Sequence, residues 1–186
     1  MSAPDRFAIF LPQPVSTPRR IILKGYASRY SRIDVAARAA LYLRELSPGS
    51  ILYVWLRSEG REKVLTIEPG RCPGAERSIV LDILKTLRDG SGQCVEAWLM
   101  TAEQLLHSES KERIIIRLIE KGMDLEEANI GSKPVLWVLG GHREPPESVE
   151  QTIKLYATAS VSVGPRSYLT SHTIAFIAWW RSAMRV

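Results

Sequence analysis

Apolar residues along this chain follow two spacings, one typical of β-strands and the other of amphipathic helices. Short runs of β-branched, aromatic and other apolar side chains predict strands at 6–11, 51–56, 63–68, 95–100, 134–141 and 159–164. Helical spacing and helix-start signals predict helices at 33–46, at 76–88, from Thr101 onward, at 145–157 and at about 166–184. Gln104 stands at the capping-box distance from Thr101. Strands and helices therefore alternate along most of the sequence.

One segment fits both spacings. Residues 111–121 are a helical candidate, although Ile114, Ile115 and Ile116 could equally form a strand. The run 134–141 is almost continuously apolar, as in a strand buried on both faces of a parallel sheet. The alternation predicts an α/β fold with a mostly parallel sheet flanked by helices. A length of 186 residues favours one domain, spanning 1–186.

Two features of the composition concern the compartment. Charges break every apolar stretch well short of the roughly 20 residues that a membrane helix needs, and no basic leader precedes the first apolar run. We therefore expect a cytoplasmic protein without a membrane segment. Cys72 and Cys94 have no metal-ligand partners at zinc-finger spacing, so reduced thiols are the expectation. A single disulfide is the alternative if the source is a hyperthermophile.

Basic residues are concentrated in the first quarter of the chain, within a net charge of +5. Asp34 is the one acid among seven of them before Glu45: Arg19, Arg20, Lys24, Arg29, Arg32, Arg38 and Arg44. Tyr26 and Tyr30 are interleaved with these cations. Basic groups neutralise phosphates and aromatic rings stack on unpaired bases, so this region suits RNA. A solvated surface of a basic protein explains the same composition equally well.

Two glycine turns each follow a predicted buried strand and precede a predicted helix: residues 139–142 and 163–165. Ligands of open α/β sheets bind beyond the carboxyl ends of the strands, at turns of this kind. Neither turn matches a dinucleotide-binding fingerprint or a Walker A loop. The histidines have no metal-site spacing and no hydrolase motif is present, so we expect neither a metal nor a nucleophilic hydrolase. From these residues alone, a ligand site and two structural turns both remain open.

Five segments stand in collinear order and together carry a resemblance: SRIDVAARAALYL (31–43), ERSIVLDILKTL (76–87), LIEKGMDLEEA (118–128), VLGGH (138–142) and VSVGPRSYLTSHTI (161–174). The chain resembles the archaeal tRNA pseudouridine N1-methyltransferases over about residues 6 to 178. These enzymes belong to the SPOUT class of methyltransferases. The resemblance implies a C-terminal trefoil knot, a homodimer, a tRNA substrate and S-adenosylmethionine (SAM) as methyl donor.

The resemblance also implies roles for particular residues. The cofactor would be bound mainly through backbone amides and carbonyls, with Leu118 packing against it. The residues of this site would be Leu118, Gly140, Val163, Gly164, Pro165, Arg166, Ser167, Tyr168 and Thr173. Asp34 would accept or orient the N1 proton of pseudouridine, with capping of the following helix as the alternative role. Arg32 would assist at the base, and Arg29, Arg32 and Arg38 would contact RNA, whereas a plain surface charge is the alternative for Arg32.

The chain departs from the family pattern at several positions. Gly141 and Thr173 replace an aspartate and a cysteine, a basic segment (22–30) replaces an acidic loop, and AWWRSAM (178–184) replaces the usual tail. An RNA-binding protein of the same fold without activity, or an enzyme for another RNA, is therefore the alternative function. A small-molecule α/β enzyme is a third. Trp179 and Trp180 add more aromatic surface than one helix usually exposes, which predicts a dimer interface there.

Overall fold

The structure is a computed structural model that describes residues 3–11, 13–17, 19–141, 145–164 and 168–184, without the side chains of Ser28 and Arg29. Its strands are β1 (Arg6–Phe10), β2 (Ile51–Ser58), β3 (Arg61–Ile67), β4 (Val95–Trp98), β5 (Ile114–Asp124), β6 (Val135–Gly140) and β7 (Ala159–Ser162). Its helices are α1 (Tyr26–Arg29), α2 (Ile33–Leu46), α3 (Glu76–Asp89), α4 (Ala102–Ser110), α5 (Glu147–Tyr156) and α6 (Thr170–Met184), with a short 3₁₀ turn at Pro69–Arg71.

The described strands form one seven-stranded sheet in the order β4-β3-β2-β1-β6-β5-β7. The five strands from β2 to β7 in this order run parallel, whereas β3 and β4 continue the sheet as antiparallel neighbours. This arrangement confirms the predicted α/β fold with a mostly parallel sheet. The carboxyl ends of the parallel strands meet along one side of the sheet, which we call the carboxyl edge.

Helices cover both faces of the sheet, as the central strand β1 illustrates. Phe7 and Ile9 point into a core shared with α2, α3 and α6, whereas Ala8 and Phe10 point into a second core shared with α4 and α5. Successive side chains of a strand face opposite sides, so a strand buried on both faces must be apolar throughout. The continuous apolar run that predicted β6 has the same cause.

The ambiguous segment at 111–121 is a strand. Ile114 to Arg117 pair in parallel with β6, and Ile116 to Leu118 pair with β7, so the isoleucines lie inside the sheet. The strand bulges between Leu118 and Met123. A Cβ atom on Gly122 would lie 2.4 Å from the carbonyl carbon of Val161, so this close approach of β5 to β7 requires glycine.

The helix ends follow local chemistry in two instructive cases. The predicted capping box is confirmed, because Gln104 N donates to Thr101 Oγ1 at 3.1 Å and Thr101 N donates to Gln104 Oε1 at 2.9 Å. The predicted start of the last helix near Arg166 is too early. Leu169 stays outside the helix, and its carbonyl accepts from His172 N and Thr173 N, so α6 begins at Thr170.

The expectation of reduced thiols is wrong, because Cys72 and Cys94 form a disulfide with their Cα atoms 5.1 Å apart. Backbone and side-chain contacts bring the two cysteines together from distant positions. Glu68 N donates to Cys94 O at 2.9 Å, and buried Asp82 accepts from Cys94 N at 2.9 Å. The bridge thereby fixes the segment before α3 against the start of β4.

A buried ion pair joins the two ends of the described chain. Arg181 of α6 donates through Nε to Asp5 Oδ2 at 2.7 Å, and both side chains are buried. Trp137 Nε1 donates to the same oxygen at 3.0 Å. These bonds hold the end of α6 at the beginnings of β1 and β6.

None of the described helices is long and apolar enough to cross a bilayer.

Candidate functional site

A cavity opens at the carboxyl edge where β5, β6 and β7 end side by side. Its described lining comes from four stretches of the chain: Arg117–Glu120, Leu139–Gly141, Val161–Gly164 and the positions Tyr168, Thr170 and Thr173. Six of the predicted cofactor residues are among them: Leu118, Gly140, Val163, Gly164, Tyr168 and Thr173. The other three, Pro165, Arg166 and Ser167, lie outside the described residues.

The turn after β7 requires its glycine. Gly164 has a φ of 149°, in a region that side chains rarely adopt, and an added Cβ would lie 3.3 Å from Tyr168 Oη. Ser162 Oγ donates to Gly164 O at 2.8 Å and accepts from Gly164 N at 3.3 Å. One serine side chain therefore fixes the turn while the glycine leaves its backbone accessible to a ligand.

A threonine that the sequence analysis did not single out joins the start of α6 to the glycine turn after β6. Thr170 Oγ1 lies 2.9 Å from Gly140 O and 3.0 Å from Gly141 O, so its proton is shared between these carbonyls. Gly141 N in turn donates at 3.0 Å to the carbonyl of Phe10, the last residue of β1. The first residue of α6 thus holds the turn after β6. A threonine at a helix start gives no sequence signal of this contact, because helix starts commonly contain one.

The lining combines apolar side chains with a larger share of polar side-chain and backbone groups. Leu118, Leu139 and Val161 provide apolar surface, and the turns provide backbone amides and carbonyls. Arg117 makes an ion pair with Glu150 of α5, so its charge is compensated within the protein. Apolar side chains beside main-chain hydrogen-bonding groups suit the adenosyl part of a nucleoside cofactor.

The predicted arginine signature forms a second cluster, at the first turns of α2. Asp34 is buried, and Arg32 donates to its two oxygens from Nε at 3.0 Å and from Nη2 at 3.2 Å. Arg38 Nη2 lies 3.4 Å from Asp34 Oδ2, and Arg38 Nε donates to Glu76 Oε2 at 3.1 Å. Tyr26 Oη donates to Glu76 Oε1 at 2.6 Å. One polar network thus joins α1, the connection between α1 and α2, α2 itself and the start of α3.

The carboxylates of this network stabilise the protonated forms of the side chains that bind them. The hydrogen bond to Asp34 raises the pKa of Arg32, and that to Glu76 raises the pKa of Arg38. The hydrogen bond from Tyr26 to Glu76 likewise raises the pKa of the phenol. Both arginines are therefore firmly held cations, and the tyrosine remains a proton donor at neutral pH.

Asp34 holds arginines instead of capping its helix, so the capping alternative is wrong. The residue at the cap position of α2 is Arg32, and no side chain makes a capping hydrogen bond there. Ser31 and Arg32 both have positive φ, 54° and 64°, which is uncommon for residues other than glycine. Ser31 Oγ donates to Pro14 O at 2.6 Å and supports this bend. Strained backbone of this kind often marks functional sites.

The two tyrosines expected to stack on bases have other contacts. Tyr30 is buried, and its Oη accepts from Ile22 N at 3.1 Å, so its ring supports the loop before α1. Tyr26 is committed to Glu76 as described above. The side chain of Arg29 lies outside the description.

The cavity and the arginine cluster share the carboxyl edge. Helix α2 follows β1 and begins at this edge, and α6 begins there after β7. The two helices pack together, with the rings of Tyr42 and His172 6.0 Å apart. A substrate lying across this edge could therefore reach both sites. Within the described part of the chain, no group of His, Cys, Asp and Glu side chains has the arrangement of a metal site.

A protein-family model described as "Putative SAM-dependent RNA methyltransferase" matches residues 6–186. The chain belongs to this family. Membership confirms the reaction class and cofactor that the resemblance implied, namely RNA methylation with SAM as donor. It also confirms the resemblance stated from the five collinear segments.

Similar proteins agree with this membership. The tRNA (pseudouridine(54)-N(1))-methyltransferase of Thermococcus kodakarensis is 29% identical over 164 residues, which cover 82% of this chain and 77% of that protein. Nep1 of Archaeoglobus fulgidus, solved with S-adenosylhomocysteine, has a TM-score of 0.70 at 14% identity, covering 98% of this chain and 99% of Nep1. The SpoU methyltransferase AviRb of Streptomyces viridochromogenes, solved with AdoMet, has a TM-score of 0.55 at 9% identity, covering 100% of this chain and 62% of AviRb. At these identities the two structures show a shared fold.

Proposed function

We propose that this protein methylates N1 of pseudouridine in tRNA, at position 54 as in its Thermococcus relative. The observation that carries the proposal is the cavity at the carboxyl edge. It brings together three separate segments predicted to bind the cofactor, and it lies on the same edge as the arginine signature. A tRNA substrate would place this activity in the cytoplasm.

The residues that line the cavity support binding of the cofactor. Gly164 leaves open the space that a Cβ would fill, and the leucine and valine side chains supply an apolar wall for adenine. The carbonyl oxygens of Gly140, Gly141 and Gly164 can each accept a second hydrogen bond and would form hydrogen bonds to the cofactor. When bound, SAM supplies a methyl group already activated by a sulfonium. The protein therefore has mainly to position the nucleophile and exclude water.

The arginine cluster would act on the target base. The N1–H of pseudouridine must lose its proton as the methyl group arrives, and the ring becomes more negative as it does so. A guanidinium beside the base would stabilise that charge. Because Asp34 already binds Arg32 and Arg38, we propose that it orients these cations. Direct proton transfer to Asp34 stays a prediction.

Methyl transfer itself is the test. Unmodified and pseudouridine-containing tRNA would be incubated with labelled SAM, followed by nucleoside analysis. We expect N1-methylpseudouridine only in the pseudouridine-containing tRNA. Asp34→Asn should lower the rate by at least about tenfold with unchanged cofactor affinity, as expected for loss of transition-state stabilisation. Asp89→Asn, which alters an exposed pair with Arg88, is the matched control.

Two results would contradict the proposal. Equal methylation of both tRNAs would exclude pseudouridine N1 as the target. Binding of SAM and tRNA without methyl transfer would instead support the alternative of an RNA-binding protein without activity, which the departures at Gly141 and Thr173 leave open.

We also propose a homodimer formed through α6. Leu169, Phe176 and Trp179 are 56%, 40% and 55% exposed and recur along the side of this region that faces away from the core. Phe176 and Trp179, three residues apart, lie on one side of α6, and Leu169 directly precedes the helix. An apolar stripe of this kind on a helix with a buried opposite face suits pairing with a second copy. Trp180, in contrast, packs against the protein's own core.

A further inference from the structure

The cations of the arginine signature are compensated, whereas others at the same edge are not. Arg32 pairs with Asp34, and Arg38 pairs with Asp34 and Glu76. Six cations make no ion pair with any described residue and belong to two segments: Arg19, Arg20 and Lys24 in one, and Arg57, Arg61 and Lys63 in the other. A free cation can neutralise a phosphate without first leaving a carboxylate.

Hydrogen bonds bring the chain that leads into residues 19–24 to the end of β2, although about 40 positions separate the two in sequence. Leu11 N donates to Trp55 O at 3.0 Å and Val15 N donates to Arg57 O at 2.7 Å. The hydroxyls of Thr17 and Ser58 lie 3.0 Å apart. The chain after β1 therefore follows β2 to its carboxyl end, and residues 19–24 begin beside the β2–β3 hairpin.

The hairpin presents its cations on a tight, well-defined frame. Glu59 and Gly60 have positive φ values of 53° and 73°, as in the two-residue turns that match strand twist. Ser58 pairs with Arg61 and Leu56 pairs with Lys63 across the strands. This places Arg61 and Lys63 on one face of β3, since they are two residues apart.

The acids of the hairpin do not cancel these charges. Glu62 Oε2 accepts from Trp55 Nε1 and from Ala102 N, both at 3.0 Å, so its carboxylate is committed elsewhere. Glu59 is exposed at the tip and remains the one acid among the lining residues of an adjoining cleft in the described structure. Arg61 and Lys63 line that cleft with Trp98 and Leu99, which are 52% and 67% exposed.

We propose that the cations of residues 19–24 and 57–63 form an RNA-binding surface, the hairpin surface, that holds the substrate's phosphate backbone. This inference rests on the proposed function and names the part of the protein that anchors the tRNA outside the cavity. Three strand spacings, about 14 Å, separate β2 from β5. One RNA strand can therefore contact the hairpin surface while a nearby nucleotide enters the cavity. The exposed Trp98 and Leu99 suit contact with an unpaired base.

Salt-dependent tRNA binding by double variants tests the hairpin surface. Arg61→Gln with Lys63→Gln removes two cations from the hairpin, and Arg19→Gln with Arg20→Gln removes two from the other segment. The matched control is Lys111→Gln with Lys133→Gln, which removes two exposed cations before β5 and β6, at the opposite edge. Calorimetric titration with S-adenosylhomocysteine and thermal melting would check that each variant remains folded.

Each hairpin-surface variant should weaken tRNA binding roughly tenfold or more and reduce the slope of log K against log[salt] by about 2, one for each lost phosphate contact. The control should match the unaltered protein. Unchanged binding by both hairpin-surface variants, or equal losses in the control, would overturn the hairpin surface and leave the proposed function standing. Failure of the unaltered protein to bind tRNA would overturn both.

Discussion

At the residue scale, the candidate cofactor site depends on small groups that shape the backbone. Gly164 keeps one turn open and Ser162 fixes it, while Thr170 at the start of α6 holds the other turn at Gly140 and Gly141. None of these residues needs to react with the substrate. Their contribution would be a cavity already formed before the cofactor arrives, which lowers the ordering cost of binding.

Thr170→Val should weaken cofactor binding, because it removes the hydroxyl that holds two carbonyls while it nearly preserves the side-chain volume. Loss of a hydrogen bond of this kind costs about 1 to 2 kcal/mol, or roughly 5- to 30-fold in affinity. Thr170→Ser keeps the hydroxyl and should bind nearly normally. Calorimetry with S-adenosylhomocysteine measures the difference, and equal affinities for both variants would contradict this role.

The sequence alone singled out Gly140, Gly164 and Asp34 as candidate site residues, whereas it did not single out Thr170. A glycine between a buried strand and a helix start signals an unusual backbone by itself, and an aspartate among arginines stands out by charge. A threonine at a helix start has an ordinary explanation. Thr170 contacts Gly140 and Gly141, about 30 positions earlier in the sequence. This contact depends on how β6 and β7 lie in the sheet, and the local spacing of apolar residues does not encode that arrangement.

At the element scale, strand burial explains both the correct predictions and the ambiguous one. The run that predicted β6 is apolar throughout because both of its faces are covered. The three isoleucines of β5 carry the same signal, but the later part of that strand is charged and mostly exposed. The spacing of apolar residues over 111–121 is therefore also compatible with a helix. Pairing with β6 and β7 shows that the segment is a strand.

The disulfide is an element-scale constraint that sequence could only leave open. Cys72→Ser with Cys94→Ser should lower the free energy of unfolding by roughly 3 kcal/mol, as expected for a loop of this length. Urea unfolding with and without reductant measures the effect. The unaltered protein should lose stability on reduction, whereas the double variant should be insensitive. An unaltered protein that is indifferent to reductant would show that the bridge does not form.

At the scale of the whole molecule, the carboxyl edge gathers the cavity, the arginine cluster and the hairpin surface. Sequence reasoning located the first two because each lies mainly on segments with recognisable motifs. It singled out Arg19, Arg20 and Lys24 as suited to RNA but not the hairpin cations, because the chain before residue 19 meets the hairpin only through the pairing of β1 with β2 and the contact of Thr17 with Ser58. The trefoil knot that the family resemblance implies stays a prediction.

The exposed stripe on α6 leads to a prediction about assembly. Trp179→Glu should convert a dimer into a monomer, because it replaces an exposed aromatic side chain of the apolar interface with a charge. Leu155→Glu, at a 79% exposed position of α5, is the matched control and should remain dimeric. Sedimentation velocity at micromolar concentration distinguishes these states. A monomeric unaltered protein would contradict the proposed interface.

The central claim is that the turns after β6 and β7 bind the adenosyl part of the methyl donor through their backbone. Calorimetric titration with S-adenosylhomocysteine tests it most directly, on the unaltered protein, Gly164→Ala and the control Gly90→Ala, whose added Cβ would meet open space at a φ that is also positive, 94°. We predict saturable one-to-one binding by the unaltered protein and by Gly90→Ala, and at least tenfold weaker binding by Gly164→Ala. No binding by the unaltered protein, or full affinity in Gly164→Ala, would contradict the claim.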